Sequence, residues 1–392
     1  MNAEELRKIP TVMEFFKISE SEPLAEGTRL LLEAMEEKHF KTGEDIVSCG
    51  AGNSDGMYII LSGTTDVLSC DGELISTQRP GEFIGELALI NDDKRGATVR
   101  ASSDVVCANI SKNLFEEIAS ANRKIYGTFM NMLYTKTTKL VTEQERVKAD
   151  LAIATRIQSS SLEDDFTEIN AIDGISITAK MRPAKEIGGD FYDIFMIDDK
   201  HLCFLISDVS GKGVPAALFM AQAKTHLRNF ASLGLPLSEV ASRANDQICY
   251  KNKEGMFVTS FICILEIGSN TVTFVNAGHN HPFISDGKGN FKLLECKANL
   301  PFGLMNGVPY KIQTFELNDG ESIYLYTDGV TESVDKTGVF FGEDRCAEKL
   351  FNHKDMEGDP VGLVNAMFKE IDEFAVGMPQ ADDITMVYLT RR

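Results

Sequence analysis

The sequence predicts an α+β protein built from three consecutive segments: a small antiparallel barrel, a long helix, and a larger unit of helices packed on sheets. Three observations carry that prediction. Residues 40–110 break into short strand-like runs separated by turns. Residues 112–160 hold almost no glycine and no proline, and residues 165–392 mix strand and helix patterns. With 392 residues and 43% apolar content, the chain has material for two or three domains and more than one core.

Within residues 1–40, Leu30, Leu31, Leu32 and Met35 can line one helix face. The run Met57-Tyr58-Ile59-Ile60-Leu61 ends at Ser62-Gly63, and Thr65–Ser69 ends at Cys70-Asp71-Gly72, which is the texture of hairpins. Along the helical segment Phe129, Leu133, Leu140, Val147 and Leu151 recur at helical spacing, with Glu143, Glu145 and Lys148 between them. That pattern reads as a long helix and a homodimer seam of coiled-coil type. A single amphipathic helix lying on its own domain is the alternative, kept open by Lys136 and Gln144 at seam positions.

In the last segment the expected strands are Ile175–Met181, Leu202–Ile206, Phe257–Leu265, Val272–Val275, Ser322–Tyr326 and Ile384–Leu389. Pro215 stands where the first turn of a helix over Ala216–Phe230 would place it. Pro236 does the same before Leu237, Val240, Ala241, Ala244 and Ile248, which share one helical face.

Composition excludes several classes of function. A formal charge of −20 argues against nucleic acid as a partner, because phosphate backbones need basic patches. The eight cysteines (Cys49, Cys70, Cys107, Cys203, Cys249, Cys263, Cys296, Cys346) show no paired spacing, so neither a structural zinc site nor a disulfide framework is expected. The N-terminus has no apolar signal core, and no run approaches membrane-spanning length. The expectation is a reduced, cytoplasmic protein without a membrane partner.

The first candidate site lies near residue 90. In Gly81–Val99 a Gly-Glu pair opens a short apolar turn, and Arg95 follows Glu86 by nine residues. Arginine contacts phosphate in a planar, bidentate manner, and a carboxylate accepts bonds from sugar hydroxyls. Small residues at Gly96 and Ala97 let backbone N–H groups approach an anion. An ordinary surface Glu–Arg pair on a loop is the alternative. The segment resembles the phosphate-binding cassette of cyclic-nucleotide-binding domains of the catabolite-activator and protein-kinase regulatory type. The resemblance spans roughly residues 10–120, including Gly43-Glu44-Asp45-Ile46 and the Gly63 turn. It implies a β-roll domain binding cAMP or cGMP, with Glu86 on the ribose 2′-hydroxyl and Arg95 on the cyclic phosphate. Gly85, Leu87, Ala97 and Thr98 would complete the cassette. Gly96 stands where that family often has alanine or threonine, which leaves the choice between the two nucleotides open.

The second candidate site is a set of four aspartates, each at one end of an apolar run and each near glycine or a second acid. They stand in Gly188-Gly189-Asp190, Ser207-Asp208-Val209-Ser210-Gly211, Thr327-Asp328-Gly329 and Ala381-Asp382-Asp383-Ile384-Thr385. Carboxylates converging on one pocket repel unless a cation sits among them, and carboxylates without His or Cys suit hard ions such as Mg²⁺ or Mn²⁺. A turn-forming role for each Asp-Gly alone is the competing reading. Ligands this far apart in sequence need a fold to unite them, unlike a local calcium loop.

The surroundings of these acids resemble the SpoIIE-like branch of the metal-dependent protein phosphatases, the protein phosphatase 2C fold. The matching runs are Arg182–Asp193, Asp208–Ala217, Met256–Thr259, Asn276–Asn280, Leu325–Glu332 and Asp382–Thr385, six in order over about residues 150–392. The resemblance implies an αββα sandwich with two Mn²⁺ or Mg²⁺ ions bridged by water. Asp190, Asp208, Asp328 and Asp382 would be ligands, the Val209 carbonyl a further one, and Asp190 and Asp208 catalytic, with Asp208 bridging the ions. Asp383 would orient a ligand or hold a turn. His279 reads as the cap of a strand turn, with a general acid as the alternative; Thr259 and Thr331 read as strand-end hydroxyls. Lys212 could touch substrate phosphate, although no phosphate-binding P-loop spacing is present, and Arg182 reads as a solvated charge.

The expected domains are therefore 1–120 (nucleotide sensor), 121–164 (helical linker) and 165–392 (phosphatase). The expected activity is cyclic-nucleotide-regulated hydrolysis of phosphoserine or phosphothreonine on a signalling protein, for which the resemblance suggests an anti-sigma-factor antagonist. A non-catalytic, nucleotide-responsive scaffold is the alternative, and loss of a ligand aspartate would be its signature. A transcription factor would require a basic helix-turn-helix after the sensor, which this chain does not show.

Overall fold

In the computed structural model the chain divides into two units, residues 1–147 and 148–392. The structure describes residues 3–10, 12–13, 23–52, 56–89, 94–121 and 123–392, apart from the side chains at 5, 87, 88, 121 and 132.

The first unit contains two four-stranded antiparallel sheets. One runs Glu36–Phe40, Val105–Ile110, Met57–Ser62, Phe83–Ile84, and the other Asp45–Val47, Thr98–Ala101, Thr65–Leu68, Leu74–Gln78. The strand Met57–Ser62 shows how the sequence builds this. Tyr58 and Ile60 join Ile46, Val99 and Val105 in the core shared by both sheets. Met57 and Ile59 point the other way, onto Leu31, Leu32, Phe115 and Phe129 of the helices. Alternation along a strand thus fills two cores, which explains why the run is apolar throughout.

Lys112–Ala121 and Arg123–Ser161 are helical, on either side of residue 122, which lies outside the described residues. Ile125 and Phe129 are buried, and Phe129 packs against Phe115 with ring centroids 4.9 Å apart. From Thr137 to Asp150 every residue of the long helix is exposed.

One expectation is corrected. Cys49 and Cys70 form a disulfide, with their Cα atoms 5.6 Å apart across a sequence separation of 21. Asp45–Val47 and Thr65–Leu68 flank the same strand, Thr98–Ala101, both antiparallel to it, so their continuations emerge side by side. A sheet neighbour relation of this kind leaves no mark in local spacing. The other six cysteines are free.

The second unit is a four-layered sandwich. Its first sheet runs Phe191–Met196, His201–Val209, Val258–Glu266, Thr271–Ala277, Gln313–Glu316; its second runs Phe291–Leu293, Phe283–Ser285, Ser322–Tyr326, Ile384–Arg391, Ile175–Arg182. Ile177, Phe204, Ile206, Phe261, Leu325 and Val387 fill the space between them. The helices Val214–Ala231 and Leu237–Cys249 cover the first sheet, and Gly342–Asn352 and Pro360–Phe374 cover the second. The helix Pro360–Phe374 was not among the sequence expectations, although its start is marked: Asp359 accepts from the Gly362 N–H at 3.0 Å, and proline follows at the first helical position. The strand Phe191–Met196 also escaped notice, because Asp193 interrupts an otherwise apolar run. Among the described residues no helix is long and apolar enough to cross a membrane.

Candidate functional site

The acidic centre follows from strand register. Phe191 lies opposite Ser207, so Asp190 and Asp208 sit at adjacent strand ends. In the facing sheet Tyr326 lies opposite Met386, which brings Thr327-Asp328 and Asp382-Asp383 to one end of that sheet. The two pairs interact. Asp190 and Asp208 lie close enough to interact electrostatically, and Asp208 feels the charges of Asp328 and Asp382 as well.

Asp190 is buried, and one of its oxygens accepts from the Thr327 hydroxyl at 2.7 Å and the Thr385 hydroxyl at 2.6 Å. Thr385 in turn donates its N–H to the Thr327 hydroxyl at 3.0 Å. Asp383 accepts from the N–H of Ala184 at 2.7 Å, Gly189 at 2.6 Å and Asp190 at 3.3 Å, which fixes the loop carrying Asp190. This approach demands glycine, since a methyl group on Gly188 would stand 2.3 Å from an Asp383 oxygen, and one on Gly329 would stand 2.0 Å from the Asp383 carbonyl. The Val209 carbonyl faces the same loop, 3.0 Å from where a Gly189 methyl would be.

Burial, then mutual repulsion, sets the protonation of these acids. Asp208 is pushed up to about 7 by burial and by Asp328 and Asp382, and Asp328 to about 6 by burial and by Glu332 and Asp382. Asp190 is raised well above the usual carboxylate range by burial and by Asp208. Lys212 relieves part of the repulsion, placing its ammonium 2.7 Å from Asp382 and 2.6 Å from the Ala381 carbonyl. Among the described residues no group of three or more His, Cys, Asp or Glu side chains is already drawn together as a bound ion would hold them. The donor set still fits a hard divalent ion, because it consists of carboxylates, a backbone carbonyl and no free imidazole or thiolate.

A pH dependence follows. A carboxyl whose pKa is raised in the fold binds more protons folded than unfolded, so its contribution is present at low pH and is lost as pH rises through the folded value. In chelator-treated protein the melting temperature should fall between pH 5 and about 8 as Asp328 and then Asp208 ionise. Mn²⁺ should restore it at pH 8. A flat chelator-treated profile by differential scanning fluorimetry would contradict the electrostatic reading.

His279 is buried, with its Nδ1 2.9 Å from the Thr259 hydroxyl and its Nε2 3.1 Å from the Tyr326 carbonyl. Burial lowers it to about 4, so it is neutral, with Nε2–H donating to the carbonyl and Nδ1 accepting from Thr259. It ties the two sheets together beside the acids, with its one N–H committed to the Tyr326 carbonyl. Thr331 donates to the Asp328 carbonyl at 3.2 Å. Arg182 is fixed by Asp372 at 2.7 and 3.0 Å and by Gln380 at 2.8 Å, so it is paired rather than freely solvated. The Thr327–Asp190–Thr385 clamp was not identified from sequence; the available signals were Thr327 directly before Asp328 and Thr385 closing the Asp382–Thr385 run.

The nucleotide-cassette residues gather in the first unit. Glu86 opens the short helical turn Glu86–Leu89. Arg95 is 8% exposed and donates to the carbonyls of Gly85 at 3.2 Å and Gly56 at 2.6 Å. Gly85 has φ +70°, and a methyl group there would meet the guanidinium at 2.0 Å. Ala97 is half-buried, and the Thr98 hydroxyl accepts from the Cys49 N–H at 3.0 Å. A methyl on Gly96 would meet nothing within 4 Å, so packing does not impose glycine there. The Leu87 side chain and residues 90–93 lie outside the described residues. The Glu86 carboxylate is 2.7 Å from the ammonium of Lys136 on the long helix.

Comparison with known proteins bears on both sites. The model of the family described as Stage II sporulation protein E (SpoIIE) matches residues 198–392, and that of the cyclic nucleotide-binding domain matches residues 37–122. Phosphoserine phosphatase RsbU of Bacillus subtilis is 30% identical over 253 residues, covering 64% of this chain and 72% of RsbU. Protein IcfG of Synechocystis is 28% identical over 242 residues, covering 55% of this chain but only 38% of its own length. In structure, the SiaA-PP2C domain of Pseudomonas aeruginosa aligns with a TM-score of 0.55 at 23% identity, over 64% of this chain and 98% of that domain. It shares the fold.

Proposed function

The chain belongs to the SpoIIE family of PP2C-type phosphatases and carries an N-terminal cyclic-nucleotide-binding domain, and from that premise we propose that it is a metal-dependent serine/threonine protein phosphatase regulated by cAMP or cGMP. Sensor, linker and catalytic domain would occupy residues 1–120, 121–164 and 165–392. The observation that carries this reading is the meeting of Asp190, Asp208, Asp328 and Asp382 at one end of two facing sheets, with burial and repulsion raising Asp190, Asp208 and Asp328.

Asp190, Asp208, Asp328, Asp382 and the Val209 carbonyl would hold two Mn²⁺ or Mg²⁺ ions, with Asp208 shared between them. When bound, such ions supply an activated water and neutralise the phosphoryl oxygens. The chain's own part is positional. Thr327 and Thr385 hold Asp190 in place, and Asp383 holds the loop that presents it. Lys212, which neutralises Asp382 at 2.7 Å, would be the side chain within reach of a substrate phosphate oxygen were ions to take over that charge.

In the first unit Glu86 would take the ribose hydroxyl and Arg95 the cyclic phosphate, with Gly85, Leu87, Ala97 and Thr98 completing the pocket. Tyr134, Leu140, Val141 and Val147 are exposed large hydrophobes on the long helix, which favours a homodimer through the linker. The substrate would be a phosphoserine or phosphothreonine on a cytoplasmic signalling protein, such as an anti-sigma-factor antagonist; the named activity of RsbU supports phosphoserine.

The test is hydrolysis of a phosphoserine peptide by the full chain with Mn²⁺, with and without cAMP or cGMP. Metal-dependent turnover that changes with one nucleotide is expected. Absence of turnover would favour a non-catalytic scaffold, and turnover indifferent to both nucleotides would remove the regulatory half of the proposal.

A further inference from the structure

Glu86, the carboxylate assigned to a ribose hydroxyl, already has a partner. The Lys136 ammonium lies 2.7 Å from its Oε1, and both side chains are mostly covered, at 25% exposure for Lys136 and 15% for Glu86. The two residues are 50 positions apart, so the pair is made by the packing of the long helix on the sheets rather than by local sequence. Lys136 is also the last residue of that helix with partial burial before the stretch Thr137–Asp150, which is exposed throughout. Before it, Ile125 and Phe129 are buried, and Leu133 packs against the same core.

A largely covered carboxylate needs a positive or hydrogen-donating partner, since leaving it bare costs more than the pair itself is worth. Two groups can meet that need at Glu86: the ammonium of Lys136 or the hydroxyl of a bound ribose. We propose that Lys136 is a ligand-displaced latch, which holds the long helix to the nucleotide pocket through Glu86 and is replaced there by the ribose 2′-hydroxyl. The inference rests on the nucleotide reading given above and adds to it the contact through which the ligand reaches the helix. Displacement frees the helix beyond Leu133, while Ile125 and Phe129 keep its beginning anchored in the core. The latch gives nucleotide different affinities for the latched and unlatched states, and only such a difference lets a ligand shift an equilibrium. It also makes the nucleotide work against the latch, so the wild-type protein binds more weakly than an unlatched one.

The experiment is isothermal titration calorimetry on the full chain with cAMP, cGMP and their 2′-deoxy analogues, comparing wild type, Lys136→Gln and Lys136→Arg. Lys136→Gln should tighten binding of the ribonucleotide by roughly three- to tenfold, the range expected for loss of one competing, partly covered ion pair. It should leave the 2′-deoxy analogue within about twofold, because that ligand has no hydroxyl to take the lysine's place. Basal phosphatase activity of Lys136→Gln should move toward the nucleotide-bound level, and Lys136→Arg, which keeps the pair, should behave as wild type. Equal affinity of wild type and Lys136→Gln, weaker binding by Lys136→Gln, or an equal gain for the 2′-deoxy analogue would each overturn the latch while leaving nucleotide binding intact. Failure of wild type to bind any of the four ligands would overturn the nucleotide reading, and the latch with it. Lys136→Gln removes a surface-edge charge without opening a core, and the Lys136→Arg arm shows whether the helix tolerates substitution at that position.

Discussion

Asp208→Asn should lower phosphatase turnover by about 10³-fold or more, because it removes the carboxylate shared between the two proposed ions and with it several kcal/mol of transition-state charge stabilisation. The same substitution should leave the metal-free fold at least as stable as wild type. Asp208 is pushed up to about 7 by burial and by Asp328 and Asp382, so above that pH its ionised form is a liability that asparagine does not share. At pH 8 in chelator, the gain should be about 1–2 kcal/mol, less than the full pKa shift would give because a relaxed site admits water. Turnover on a phosphoserine peptide and a urea titration check the two halves. An Asp208→Asn protein that retained turnover would refute the catalytic assignment. One that lost both activity and stability would show that Asp208 holds the fold rather than an ion.

The second large effect is expected at an aspartate from the same motif with the opposite role. Asp193 lies three residues after Asp190 but faces the helix Val214–Ala231. It is 1% exposed, and it is 3.0 Å from Lys224 and 2.6 Å from Arg228, whose guanidinium lies over the Phe195 ring at 4.4 Å. Asp193→Ala leaves Lys224, itself 11% exposed, without its counter-charge. Breaking a buried pair from one side costs about 3–5 kcal/mol, and the exposed Arg228 can turn to solvent, so a loss of about 3 kcal/mol in urea denaturation is expected. Turnover per folded molecule should change little. A loss under about 0.5 kcal/mol, the usual range for surface substitutions, would show that the pair is not a structural strut. The two variants together separate ligand carboxylates from structural ones within a single run of sequence.

Much of the candidate centre was legible because it is written in local patterns. Four acids beside apolar runs, near glycine or a second acid, marked strand ends, and the resemblance of six ordered runs to the SpoIIE-like phosphatases implied the sandwich and the candidate ligands. The helices at Pro215 and Pro236 and the burial of Leu31 and Leu32 were legible for the same reason. Partner choice was not. The hydroxyls on Asp190 come from positions 137 and 195 residues away, and the guanidinium and ammonium that make Asp193 tolerable in a strand come from a helix 31–35 residues on. Lys136 looked like a flaw in a helical seam because its partner, Glu86, lies on another element.

The sequence by itself determined most of the element types, since strand alternation, helix periodicity and turn residues act over a few neighbours, and its resemblance to two families supplied the expected chemistry and the candidate ligands. Only the tertiary structure decided which groups meet. It joined Cys49 to Cys70, placed Asp383 on backbone N–H groups and His279 between two sheets, and set Lys136 against Glu86. Those pairings depend on which surfaces the packed sheets and helices bring together, and a covered polar group takes whatever partner packing supplies.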